Sequence, residues 1–364
     1  MYFDILTTNS NQWREILTLI KHDIYQLPEY VALEGKRSNS IPQAFLAIDE
    51  QKIFFVPYLI RSCQNILKTD KEILDVISPY GYPGILLSEA AKEDHNFCGL
   101  ALEKFRHSLQ EQNICSAFFR LHPILNENWH NIFAADALFA NGTTVSIDLK
   151  LPKEEIWSNT KSNHRNKINR CTKRFGLTTK ITKLSQRLDV FCQLYEETMA
   201  RVIAQDIYYS FNSEYFQQMD SEMSDRLYLC LVQSESGEPA SAGLYTECGG
   251  IVQAAFGGIS NNFVRQSPSI LELDAMRWWA KEQGYQYLHL GGGVGGSEDS
   301  VYKFKAGFSK LRHPFYTLRL IIDQEKYDYL VDLKARSHNI AVDELKQSNF
   351  FPAYRAPLTV DMKQ

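Results

Sequence analysis

The chain has 364 residues, 44% of them hydrophobic, and a formal charge of -4. That is enough apolar surface for two domains with separate cores, and the charge balance excludes a protein that coats nucleic acid over its whole surface while leaving room for a local basic face. The 7 cysteines form no C-x-x-C pair, the N-terminus lacks a basic region followed by an apolar core, and no apolar run approaches the ~20 residues of a membrane span, so reduced thiols, a cytoplasmic location and no transmembrane segment are expected, with peripheral membrane contact left open.

In chain order, the first segment reads as mixed α/β. Apolar spacing predicts a helix over 11–25 and strands over 43–49 and 53–61, with Glu50 and Gln51 as a hairpin turn. In ISPYGYPGILL, 77–87, glycine and proline punctuate aromatics, which suits a loop lining a cleft or a proline-bent edge strand. Phe97, Leu100, Ala101, Phe105 and Leu109 recur at helical spacing within 96–112, and 114–121 alternates as a buried strand. After a strand over 143–149, Leu151-Pro152-Lys153 opens a helix with proline near its first turn, so the domain boundary is placed between 149 and 150.

The run KSNHRNKINRCTKR, 161–174, carries six Lys or Arg and no acid. On a helix, Lys161 and Arg165 share one face, and Lys167, Arg170 and Arg174 another. Such density attracts phosphate; the alternative is a solvated basic helix. Lys161 and Arg165 are the candidates for gripping phosphate, by point charge and planar fork, with Arg170 on the other face a further substrate-binding candidate. The positive field also favours a thiolate at Cys171.

Helices over 188–201 and 213–223 lead into strands over 227–233, 243–247 and 251–257, whose short connections require an antiparallel meander. Ser269-Ile-Leu-Glu272 matches a capping box at the start of a helix that stops at Gly284, where Glu272 and Asp274 read as acids favoured by the dipole. A strand over 285–290 then enters HLGGGVGGSEDSVYKFKAGF, 289–308. Gly292 and Gly293 are candidate substrate contacts, because glycine lets a backbone come close to a ligand. Gly291-x-Gly293-x-x-Gly296 fits a dinucleotide fingerprint literally, but neither a clear following helix nor an acid at the end of a second strand accompanies it. No P-loop, H-E-x-x-H or cysteine-histidine zinc pattern is present, so no metal and no tightly bound cofactor are expected. The last strand is expected over 315–322, and the whole order is α+β, with a fainter version of it in the first segment.

KSNHRNKINRCTKRFG, LYEETMARV, AAFGGIS, SPSILELDAMRWWAKEQGYQYLHLGG and YKFKAGF, in this order, resemble the FemAB-like branch of the GNAT superfamily, and ISPYGYPGILL and FFPAYR resemble its polysaccharide-cluster members. The resemblance runs from about Ile77 to Arg355 and is most specific over 271–308. It implies two tandem GNAT-like (acyl-CoA N-acyltransferase-like) domains: 1–149 on the acceptor side and 150–322 as the catalytic domain, with 323–364 as a helix and tail packing back on the body. Transfer of an aminoacyl or acyl group to an amine is implied; characterised relatives take amino acids from aminoacyl-tRNA and build peptidoglycan cross-bridges. Two features depart from the family. Arg265-Gln-Ser-Pro-Ser-Ile270 has no glycine where acetyl-CoA-dependent members hold pyrophosphate, and the long coiled-coil arm of several cross-bridge enzymes is missing.

Aminoacyl transfer from an ester to an amine passes through a tetrahedral oxyanion, which needs a donor or cation preplaced where the charge develops. By the resemblance Lys305 takes that role within a catalytic element that includes Tyr302 and Phe304; Phe304 and Phe308 exclude water and Gly307 allows close packing. The alternative leaves Lys303 and Lys305 as surface residues of an amphipathic turn. His289, at a strand end, is a candidate base against a merely packed histidine. Tyr80 and Tyr82 are candidates for shaping the acceptor pocket. The donor is aminoacyl-tRNA or acyl-CoA, and the acceptor is an amine-bearing small molecule, peptide-like metabolite, polysaccharide or cell-wall precursor. The competing functions are an acyl-CoA- or carrier-protein-dependent N-acyltransferase acting on an amino sugar, and a non-catalytic GNAT-like binding module.

Overall fold

The structure, a computed structural model, describes residues 1–64, 67, 69, 71–127, 137–202, 211–348 and 350–357. Its first stretch comprises β1 (Tyr2–Thr7), α1 (Asn11–Leu19), α2 (Pro28–Ser38), β2 (Ile41–Asp49), β3 (Lys52–Ser62), β4 (Leu74–Ile77), β5 (Leu86–Leu87), α3 (Glu89–Lys92), α4 (His95–Glu111) and β6 (Ile114–Arg120). β2 and β3 form the expected hairpin, with Glu50 in the left-handed region at φ 55°. β3 is buried along nearly its whole length, which is why its sequence is a continuous apolar run rather than an alternation. β4 pairs antiparallel with β3 and parallel with β6. Phe97, Cys98, Ala101, Phe105 and Leu109 of α4 pack inward on this sheet.

The helix expected over 11–25 is shorter than its apolar spacing suggested. α1 ends at Leu19, and Asp23 then caps a separate 3-10 turn, Ile24–Gln26, through a reciprocal bond with Gln26. The polar Lys21-His22-Asp23 interrupts the helical stripe, and Asp23 satisfies the new turn's amides. α2 was not expected, although Pro28 in its first turn and Asn39 at φ 49° beyond its end are standard punctuation. Residues 78–85 form the expected loop, where Gly81 at φ 85° leaves space for the Tyr25 ring.

β7 (Leu138–Asp148) leads into α5 (Lys153–Asn159), α6 (Ser162–Lys173), β8 (Thr178–Lys183), α7 (Leu188–Val202), α8 (Ser213–Met223), β9 (Leu227–Gln233), β10 (Pro239–Cys248), β11 (Ile251–Ile259), α9 (Ser269–Glu282), β12 (Tyr287–Gly291) and α10 (Ser300–Lys305). The ladder runs β7-β12-β11-β10-β9-β8, antiparallel except for β11 beside β12, whose parallel pairing is made by the crossover through α9. The expected meander is present as β9, β10 and β11. The capping box is not: Pro268 is the N-cap of α9, no side chain caps the helix, and Glu272 points into the core.

β13 (Arg312–Ile321), α11 (Gln324–His338) and α12 (Val342–Gln347) complete the chain. β13 pairs antiparallel with β6, and the first ladder is therefore β1-β2-β3-β4-β6-β13. Each ladder thus runs through antiparallel strands to one parallel pair and closes on an antiparallel strand, β13 in the first and β7 in the second. Two compact units result, Met1–Ala140 with Phe315–Gln364, and Asn141–Pro314. The division falls at 140/141 and 314/315, where chain order alone set it at 149/150 and 322/323. In the first unit α11 covers Cys63, Cys115 and Tyr354, and Asp75 is held between Arg61 and Arg355.

Candidate functional site

In the second unit β11 and β12 are paired only from Ile251/Tyr287 to Gln253/His289. Beyond that point β12 stays on β7, through Gly291 opposite Val145, while β11 continues with β10 across a bulge at Ala255. Two adjacent parallel strands therefore part, and their facing amides and carbonyls are released from the ladder into a wedge. Ala254 to Gly257 are partly or fully exposed along one side of it.

His289 stands at the base of the wedge. It is buried, with Nδ1 at 2.6 Å from Gln253 Oε1 and Nε2 at 2.9 Å from Thr144 Oγ1. Both ring nitrogens serve to tie three strands together, so the packed histidine is what the structure shows and not a base presented to a reacting group.

Past His289 the chain leaves β12 through Gly291 at φ 76°, and a short 3-10 turn, Val294–Gly296, leads to α10. Asp299 organises this connection: one carboxylate oxygen caps α10 at Tyr302 N (2.8 Å) and the other takes Val294 N (3.2 Å). Those amide bonds hold its carboxyl below the usual range. A Cβ on Gly293 would strike Ser297 O and this carboxylate, so Gly293 supplies turn closure. α10 itself has only six residues, unlike the long helix of a dinucleotide fold.

Lys305 closes α10 and turns back to Gly292, donating from Nζ to its carbonyl at 2.7 Å. The ammonium is largely withdrawn from water, and desolvation pushes it down to about 8 against the opposing pull of Asp299. Lys303, two residues earlier, is exposed. The two lysines of the amphipathic-turn alternative thus have different surroundings. Tyr302 is buried, its hydroxyl 2.8 Å from Thr143 Oγ1 and accepting from Arg312 Nε at 3.1 Å. Phe304 packs edge-on against Phe308 with centroids 5.6 Å apart.

Carbonyls in the last turn of α10 and just beyond it are met by donors from outside the helix. His164 Nε2 reaches Phe304 O at 2.9 Å, Arg312 Nη2 Ala306 O at 3.3 Å, Lys161 N Gly307 O at 2.8 Å and Thr160 Oγ1 Phe308 O at 3.2 Å. Thr160 in turn accepts from the buried Arg277, which also pairs with Asp274 and lies over Trp157, Trp278 and Phe308. Asp274, expected as a dipole charge, is a buried partner of Arg277. His164, Thr160, Arg277 and Asp299 were not singled out in the sequence; of these only Asp299, at an N-cap position before SVYKFK, had a local signal.

α6 turns His164, Ile168 and Cys171 inward and leaves Lys167, Arg170, Lys173 and Arg174 exposed. Among the described residues no carboxylate pairs with any of these four or with Lys161. Lys161 is exposed at the N-cap. Arg165 is differently employed: its Nη1 donates to Trp157, Ser158 and Thr160 carbonyls at 3.3, 3.3 and 2.7 Å, closing the end of α5. Arg170 lies 5.0 Å over the Phe175 ring. Cys171 is buried and its thiol donates to Gln266 O; burial outweighs the neighbouring cations and raises it, opposite to the expected thiolate. Glu272 is fully enclosed against Tyr245, whose hydroxyl donates to it at 3.1 Å, and desolvation raises its carboxyl to about 8. It is a core group, not a helix-start charge.

Tyr80 and Tyr82 belong to the first unit. The Tyr80 amide donates to buried Glu34 at 3.2 Å and its carbonyl accepts from Tyr30. Tyr82 packs edge-on against Tyr25 and Phe315. Nearby, His122 donates from Nε2 to Asp23 at 2.9 Å, both groups buried.

Residues 158–305 match the family model for an acetyltransferase (GNAT) domain. No curated protein matches the sequence. Among solved structures, the chain is similar to FemX, with a TM-score of 0.69 at 12% identity over 90% of this chain and 99% of that one. It is also similar to L-PGS from Bacillus licheniformis (TM-score 0.55, 14% identity, 93% and 98% of the two chains). The C-terminal domain of a putative lysylphosphatidylglycerol synthetase from Agrobacterium fabrum gives 0.54 at 14%, covering 85% and 90%. These likenesses are of fold. With the matched domain they bear out the tandem GNAT-like architecture and the resemblance to the FemAB-like branch.

Proposed function

We propose that this chain is a FemAB-like transferase that moves an aminoacyl group from aminoacyl-tRNA to the amine of a cell-wall precursor, polysaccharide or peptide-like acceptor in the cytoplasm. The observation that carries the reading is the position of Lys305, a desolvated ammonium fixed beside the opening between β11 and β12. An ester carbonyl seated in the wedge would gain negative charge on its oxygen as the amine attacks. An ammonium withdrawn from water meets that charge without solvent reorganisation. The amine's proton passes to solvent or to the departing ribose oxygen, so no protein base is required. The wedge gives an extended acyl or aminoacyl chain a strand edge to lie along, Phe304 and Phe308 shield the lysine side, and Tyr302 fixes the element. In this reading the outer face of α6 meets the phosphates of the donor, with Lys161 and Arg170 contributing charge, and Tyr80 and Tyr82 shape the acceptor pocket.

The second reading is an acyl-CoA-dependent N-acyltransferase, favoured by the match of residues 158–305 to an acetyltransferase domain. Against it, α9 begins at Pro268 after Ser267 at φ 56°, and no glycine there frees amides to wrap a pyrophosphate. The test is transfer from a pool of labelled aminoacyl-tRNAs, and in parallel from labelled acyl-CoAs, to candidate amines, read by mass spectrometry. Product from the tRNA pool is expected. Product from acyl-CoA alone would replace the first reading with the second.

A further inference from the structure

His164 lies on the inner face of α6 and is buried. Its ring sits 5.7 Å from Phe304 and edge-on to Phe308 at 5.0 Å, while Nε2 donates to Phe304 O at 2.9 Å. Gly307 lies directly against it, and a Cβ there would strike the imidazole. Nδ1 has no hydrogen-bond partner among the described residues, so the ring is the neutral Nε2–H tautomer. A second proton would be buried without an acceptor in the field of Lys161, Lys167 and Arg277, and desolvation accordingly pushes the ring below its ordinary value. Packing alone does not require a histidine: a leucine would occupy the slot but remove the side-chain donor from the Phe304 carbonyl, leaving it only the backbone amides of its own turn, Gly307 N at 3.1 Å among them.

We propose that His164 is the positioning residue of Lys305, fixing the last turn of α10 by its bond to the Phe304 carbonyl and its packing on Gly307, and so joining that lysine to the basic helix. The purpose of the positioning rests on the transfer reading above; the geometry is testable without any transfer.

The experiment is competitive labelling of the full-length chain with trace acetic anhydride over a pH series, each lysine peptide being quantified by mass spectrometry. In the wild type Lys305 is expected to titrate near 8. In His164→Leu, and independently in Gly307→Ala, Lys305 is expected to move by a unit or more toward the ordinary lysine value of ~10.4. His164→Gln, whose amide can donate to the same carbonyl, is expected to stay near the wild type. Exposed Lys303 is the reference. Lys281, which donates to Leu149 and Leu151 carbonyls at 2.8 Å each, reports general loosening. An unchanged Lys305 in both His164→Leu and Gly307→Ala would overturn the proposal. So would Lys281 gaining reactivity together with Lys305, which would make His164 a general packing residue. If labelling moves as expected while Lys305→Met transfers normally, the positioning stands and the transfer reading fails.

Discussion

Lys305 and Glu272 are displaced in opposite directions from their ordinary ionisation by the same cause, loss of water. Lys305 is lowered to about 8, so the ammonium that meets the oxyanion is lost as pH rises through that value. Single-turnover transfer at saturating acceptor should therefore fall on the alkaline side with an apparent pKa near 8, and a rate flat to pH 10 would exclude an ammonium role. Glu272 is raised from 4.5 to about 8, so between those values the folded state binds a proton that the unfolded state has released. Stability should then be greatest below the unfolded value and decline as pH rises, by roughly 3 kcal/mol by neutral pH. Glu272→Gln should flatten that decline in urea titrations at several pH values. The sequence offered Glu272 as half of a capping box because Ser-x-x-Glu has the right spacing. Spacing does not report which face of the helix an acid occupies, and here Gly243 on β10 leaves room for the carboxylate inside.

At the scale of elements, α6 was readable as a basic helix, but its roles were not. Arg165 looked like the best phosphate fork, yet the end of α5 uses its Nη1. Arg165→Met should cost stability, roughly 1 kcal/mol for the lost carbonyl bonds, with little effect on polyanion binding. By contrast Lys167→Glu, Arg170→Glu and Arg174→Glu together should leave the thermal midpoint nearly unchanged while weakening tRNA binding at least about tenfold and reducing its salt dependence by about one unit of slope for each phosphate no longer neutralised. A filter-binding series against salt separates the two. Helices and central strands with strong periodicity were legible. β1 and β8 were not: Tyr2–Thr7 and Thr178–Lys183 are exposed edge strands whose polar and apolar residues mark no buried face.

For the whole molecule, the α+β order and tandem architecture followed from the sequence, whereas the exchange of closing strands did not. β7 follows β6 in the chain but pairs with β12, and β13 follows α10 but pairs with β6. Periodicity locates strands and is silent about which ladder receives them. A fragment of residues 1–149 would lack β13 and α11, and should show no cooperative urea transition; a native-like transition in that fragment would contradict the strand exchange. The wedge was invisible for a related reason, since it arises from the point at which pairing stops, between Gln253/His289 and the bulge at Ala255. The most direct measurement is single-turnover transfer by Lys305→Met from the aminoacyl-tRNA pool, beside its tRNA affinity and melting curve. The account predicts retained binding and folding with transfer reduced at least about a hundredfold. Transfer at the wild-type rate by that variant would contradict it.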